Sequence, residues 1–109
     1  MTNHKALSAL GMAMRAGKLI TGEDTVLKAI RQRKARLVII AGDASDNTKK
    51  KFYDKCGSYD VDIMEAFDRE TIGSAIGKAE RVLIAVSDNG FATMIRKQLS
   101  HLTEVENID

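Results

Sequence analysis

The sequence predicts an α/β protein with one central sheet and helices covering both of its faces. Two segments, "LVIIA" (37–41) and "VLIAV" (82–86), are apolar without interruption, as strands are when neither face meets water. Stretches of helical period alternate strictly with these and two shorter strand candidates, giving the order α-β-α-β-α-β-α-β-α. With 109 residues, 44% hydrophobic and 29% charged, the chain is long enough for one real core and has an ordinary globular composition. It holds no internal repeat, low-complexity tract or proline-rich linker. Strand order is not readable from this pattern.

The elements follow in order. "LSALGMAM" carries Leu7, Leu10 and Met14 at i, i+3 and i+7, a helical stripe, and Gly17 can close that helix in the left-handed conformation. "KLIT" is a short strand. Thr21 reads as the N-cap of the second helix, with Gly22 at its first position and Asp24 at its third, in capping-box spacing; the helix runs to about Arg33. "GDASDN" has turn and cap chemistry and opens a third helix that sets Phe52 and Cys56 on one side, with Gly57 expected to stop it. "VDIM" is the third strand. Asp68 caps "RETIGSAIG", where Ile72, Ala75 and Ile76 share a face. "SDNG" turns the chain into a last helix carrying Phe91, Met94, Ile95, Leu99 and Leu102. Residues 1–102 are read as one domain and 103–109 as a polar C-terminal tail, expected to fray.

Composition excludes several functions. The one cysteine, Cys56, has no partner for an internal disulfide, and a buried thiol in a reducing cytosol is the expectation. The N-terminal segment lacks an apolar signal core, and no apolar run approaches the roughly 18 residues of a membrane span, so a cytoplasmic protein is expected. Two histidines near the ends and one cysteine offer no metal-ligand spacing, and no cofactor is expected. Two tyrosines and three phenylalanines are too few for a single-strand stacking platform. Asp43 and Asp88 follow apolar strands, where ligands of α/β sheets gather, but each also opens a helix and is read as a cap.

Charge is distributed unevenly. The chain carries a net +2, yet residues 1–51 hold eleven basic and four acidic groups, a local +7, and the remainder is −5. A polyanion is one natural partner for such a chain; a surface on which the two halves interleave is the other reading. The second helix sharpens the question. On a helical wheel Val26, Ala29 and Ile30 fall on one side, with Leu27 beside them, while Asp24, Thr25, Lys28, Arg31 and Gln32 share the other. Gly22 stands at its amino end, where free N–H groups and the helix dipole favour phosphate and where a missing side chain admits another backbone. Lys18, Lys28 and Arg31 are the cations that would hold a nucleic-acid backbone there.

"RAGKLITGEDTVLKAI", "ARLVIIAGDAS" and "IGSAIGKAERVLIAVSDNGFA" together resemble the YlxQ group of small bacterial ribosomal-type proteins. That group lies within the superfamily of the archaeal ribosomal protein L-seven-Ae, whose members bind kink-turn RNA. The likeness covers about residues 5–97. The superfamily signature is a glycine, a spacer, Asn-Glu, two spacers and a lysine; Gly22 and Lys28 match it, with Asp24 and Thr25 in place of Asn-Glu. A second signature, Leu-Gly-x-Ala-x-Gly, is met by "IGSAIG", with Gly73, Ala75 and Gly77 retained. The resemblance implies a three-layer α/β/α sandwich with a four-stranded mixed sheet, and no catalysis. It implies RNA contacts from Gly22, Glu23, Asp24, Thr25 and Lys28, and a closing loop of Lys78, Ala79, Glu80 and Arg81 over the bend. Asp24, when ionised, only accepts hydrogen bonds, and Thr25 is too short for a bidentate pair, so selectivity should differ from the archaeal pattern. The expected partner is structured RNA, kinked or bulged, such as ribosomal RNA. A protein-interaction adaptor on the same scaffold is the alternative.

Overall fold

In the computed structural model, residues 4–108 are described, and side-chain surroundings are described as far as Ser100. The two uninterrupted apolar segments become the middle of the sheet. Its strands are β1 (Leu19–Thr21), β2 (Leu37–Ile40), β3 (Asp62–Glu65) and β4 (Leu83–Val86), in the order β1-β4-β2-β3. β4 runs antiparallel to both β1 and β2, whereas β2 and β3 are parallel, so the sheet is mixed. Every residue of β2 and β4 is buried, because helices lie on both sides.

Strand alternation divides the core in two. Leu37 and Ile39 of β2, with Ile84 and Val86 of β4, face a layer built from α1 (His4–Arg15), α4 (Arg69–Ala75) and α5 (Asn89–Ile108). Val38, Ile40, Leu83 and Ala85 face the opposite layer, formed by α2 (Glu23–Arg31) and α3 (Asp46–Tyr59). The result is the three-layer α/β/α arrangement. Phe52 and Cys56 are both fully buried on the α3 side, as their shared face requires. Ile72, Ile76, Ile95 and Leu99 fill the other layer; Met94, read as part of the same stripe, stands at its exposed margin. The side chain of Leu102 lies outside the described residues. The backbone of α5 continues through the stretch read as a tail, to Ile108.

Several boundaries differ from expectation for local reasons. Gly17 does close the α1 turn with φ +72. Gly57, by contrast, does not stop α3. The helix continues to Tyr59, which packs against the α2/α3 core, and Asp60 takes the left-handed C-cap at φ 58, ψ 46. A short polar side chain tolerates that conformation better than most. α2 ends at Arg31, two residues before Arg33, which itself adopts φ 59. Asp68 caps α4 as read, accepting from the Thr71 N–H at 2.7 Å, and Asp88 caps α5 by accepting from the Phe91 N–H at 2.8 Å. Asp43 is a cap as well, though not for α3. Ser45 caps that helix, while Asp43 reaches across to the first turn of α4.

Candidate nucleic-acid interface

The topology gathers four connections at one end of the sheet. β1, β2 and β3 finish there and β4 begins there, so the start of α2, residues 41–45, residues 66–68 and the loop after α4 are neighbours. The start of α2 is built differently from the reading of Thr21 as its cap. Thr21 is the last residue of β1, paired with Ile84, and its backbone belongs to the sheet. The Gly22 N–H then donates to the Leu83 carbonyl at 3.1 Å, and the chain turns into the helix at Gly22 with φ 96 and ψ 147. That region of backbone space is essentially closed to residues with a Cβ. Gly22 is therefore the N-cap, Asp24 the second helical residue, and no side chain caps the helix.

The consequence is an open helix start. A Cβ placed on Gly22 would meet nothing within 4 Å, so the position is uncovered. Glu23, Asp24, Thr25 and Lys28 are exposed, as are Arg31 and Gln32, while Val26, Ala29 and Ile30 are buried. The helical wheel is realised residue for residue. Glu23 and Asp24 stand at the positive end of the helix dipole, where negative charge is favoured, and their carboxylates point to solvent as hydrogen-bond acceptors.

The loop 78–81 is folded back on α4. A Cβ at Gly73 would lie 2.7 Å from the Ala79 carbonyl carbon and 2.8 Å from the Glu80 Cα, so only glycine permits this approach. Lys78 N–H donates to Gly73 at 2.9 Å and Arg81 N–H to Arg69 at 3.0 Å. The Arg81 guanidinium folds back on its own loop, donating to the carbonyls of Ala79 (3.2 Å) and Glu80 (3.0 Å), and so braces it. Lys78, Ala79 and Glu80 are exposed. Arg81 leads through Val82 to Leu83, the residue that receives the Gly22 bond, which places this loop beside the α2 start.

An ionic cluster that the sequence does not announce joins the connections. Asp43 accepts from the Arg69 backbone N–H (3.0 Å) and from its Nε (3.1 Å), and its own carbonyl accepts from Arg69 Nη2 at 2.6 Å. Arg69 Nη1 also lies 3.8 Å from Glu80 in the closing loop. Asp43 and Arg69 are 26 residues apart in sequence, and nothing local signals their contact. These half-exposed pairs contribute modestly to stability; their effect is to fix one loop against another.

The fold does not bring every expected residue to this end. Lys18 precedes β1 and Arg31 ends α2, so both belong to the opposite end, with α2 running about 13 Å between. Lys28 stands partway. Three consecutive lysines lie in α3: Lys49 pairs with Glu65 at 3.4 Å and Lys51 lies over the Phe52 ring at 5.8 Å, while Lys50 is exposed. Among the described residues no group of histidine, cysteine and carboxylate side chains could hold a metal ion, and no helix is long and apolar enough to cross a membrane.

Sandwich, open glycine turn and folded-back loop together define a small three-layer α/β/α domain with an uncovered helix start. The chain belongs to the ribosomal protein L7Ae/L30e/S12e/Gadd45 family, which matches residues 4–95. It is 50% identical over 88 residues to the RNA-binding protein YlxQ of Enterococcus faecium, covering 81% of this chain and 84% of that protein. The RNA-binding protein YlxQ of Bacillus subtilis (strain 168) is 48% identical over 86 residues, covering 79% and 86%. A more distant relative, the large ribosomal subunit protein eL30 of Yarrowia lipolytica, is 32% identical over 94 residues, covering 84% of this chain and 85% of its own. The resemblance to the YlxQ group thus stands. Among solved structures, a protein with unknown function from Bacillus halodurans C superposes with a TM-score of 0.86 at 46% identity, over 88% of this chain and 97% of that one. The Giardia lamblia 15.5kD RNA binding protein shares the fold, with a TM-score of 0.75 at 17% identity over 93% and 87% of the two chains.

Proposed function

We propose that this is a cytoplasmic, non-enzymatic RNA-binding protein that recognises a kinked or internally bulged RNA helix, of the kink-turn type. The observation that carries the reading is the α2 start. Gly22 holds a glycine-only conformation with open space before it, on a helix with no side-chain cap, tied through Leu83 to a loop that stands beside it. Regular A-form RNA hides its base edges in a deep groove, whereas a bulge widens the groove and exposes them. In this reading Gly22 admits the RNA backbone, Glu23, Asp24 and Thr25 meet base edges, and Lys28 takes a phosphate. Lys78, Ala79, Glu80 and Arg81 close over the bend, and Lys18 and Arg31 reach flanking backbone. Membership of a family whose relatives carry RNA-binding and ribosomal names supports the same conclusion.

The test is a titration of a kink-turn RNA and a straight duplex of equal length at two salt concentrations. Preference for the kinked RNA, lost in Lys28→Ala, is the expected result. Equal affinity for both removes the structural selectivity, and a salt slope near zero removes the phosphate contacts. No affinity for either RNA leaves the adaptor reading.

A further inference from the structure

The cations that the sequence groups with Gly22 are divided by the fold, and the larger share stands at the other end of the sheet. Lys18 leads into β1, Arg31 ends α2, and Arg33, Lys34 and Arg36 make the turn into β2; all five are exposed. Backbone bonds gather them. The Lys18 carbonyl accepts from both the N–H (2.9 Å) and the hydroxyl (3.1 Å) of Ser87, and Arg36 N–H donates to Val86 at 2.7 Å, so the two flank the end of β4. Lys34 N–H closes α2 beside them by donating to Ala29 at 2.9 Å.

One of the five is committed elsewhere. Arg33 lies over the Tyr59 ring at 5.4 Å and donates to its carbonyl at 3.4 Å. None of the ion pairs among the described residues involves Lys18, Arg31, Lys34 or Arg36. The carboxylates at this end pair with none of these four. Asp62 pairs with Arg96 at 3.0 Å, Asp88 caps α5, and Asp60 is exposed at the end of α3, next to the Tyr59 that Arg33 covers. Four exposed cations that enter no ion pair among the described residues leave a positive potential at this end, which a polyanion relieves. Duplex nucleic acid supplies such a partner, with about one charge per 1.7 Å of axis, and flexible lysine and arginine side chains suit it without needing a sequence.

We infer that this end of the molecule is a second RNA contact, formed by Lys18, Arg31, Lys34 and Arg36, that takes the sugar–phosphate backbone of a duplex segment away from the bend. It rests on the RNA-binding reading above but not on kink selectivity. Lys28 lies between the two ends on the exposed face of α2, so one RNA helix leaving a bend at Gly22 passes along α2 to reach the far cations.

The experiment compares the wild-type chain with the variant Lys18→Ala/Arg31→Ala/Lys34→Ala/Arg36→Ala. Three RNAs are titrated over a range of salt: a bulged RNA with arms of a few base pairs, the same bulge with long arms, and a straight duplex. On the long-armed RNA the variant should bind about tenfold more weakly, with a log–log salt slope shallower by about two to four, whereas short-armed binding should hold within about twofold. The charge-conserving variant Lys18→Arg/Arg31→Lys/Lys34→Arg/Arg36→Lys should keep the wild-type slope. An unchanged slope on the long-armed RNA, an equal loss on the short-armed one, or an equal loss in the charge-conserving variant overturns the second contact. If the wild type binds bulged and straight RNA equally, kink selectivity fails alone. The second contact then stands or falls on whether the variant's slope flattens on the straight duplex. A wild-type chain that binds none of the three defeats both.

Discussion

The backbone N–H of Gly22 donates to the carbonyl of Leu83 at 3.1 Å, extending the pairing of β1 with β4 by one bond past Thr21. That bond fixes the start of α2 against the strand that the closing loop enters, so the two halves of the candidate site share one anchor. It also commits Gly22 to φ 96, which leads to the first prediction.

Gly22→Ala should destabilise the fold by about 1–3 kcal/mol through backbone strain alone, since no neighbour crowds the added methyl. Gly57→Ala is its counterpart. Gly57 lies inside α3 with equally open surroundings and no positive φ, so alanine there should stabilise by about 0.5–1 kcal/mol. Urea unfolding of both variants checks the pair, and equal effects of the same sign would contradict it.

Gly73→Ala acts by crowding. The new methyl would sit within 2.7–2.8 Å of backbone at Ala79 and Glu80, with no flexible side chain to yield. The closing loop must shift, at a cost of about 1–3 kcal/mol. Hydrogen exchange at residues 78–81 should accelerate, and preference for bulged over straight RNA should fall more than total affinity.

The cap of α4 gives a pH dependence. The Thr71 backbone N–H, with its hydroxyl, holds the Asp68 carboxyl below its ordinary value of 3.8. A carboxyl whose folded pKa is depressed stabilises the fold fully above 3.8, and that contribution disappears as the pH falls through the lower folded value. Asp68→Ala should therefore lower Tm near neutral pH, and the gap from wild type should narrow in strong acid. A Tm difference that is constant with pH would show that the carboxylate charge plays no part.

Cys56 offers a probe of the α3 layer. Burial pushes its thiol up to about 11, and no solvent reaches it in the folded chain. Alkylation at pH 8 should be slow, limited by opening of the fold, and should become rapid in denaturant. Prompt labelling of the native protein would show that α3 opens locally.

The sequence by itself determined the alternation of elements, the two fully buried strands and the orientation of α2. Each follows from local periodicity, and Val26, Ala29 and Ile30 turn inward whatever the neighbouring strands are. Asp68 and Asp88 were legible for the same reason, since a cap acts within three residues. Thr21 was misread because its backbone is claimed by β4, which lies more than sixty residues away in sequence. Asp43 and Arg69 show no local pattern at all. The charge pattern of residues 1–51 suggested one cradle, but the antiparallel return of α2 along β1 carries Lys18 and Arg31 to the far end. Which side of each element is apolar is written in the chain; which ends of the elements meet is decided by strand order, because hydrogen bonding between distant strands sets what a residue's neighbours are.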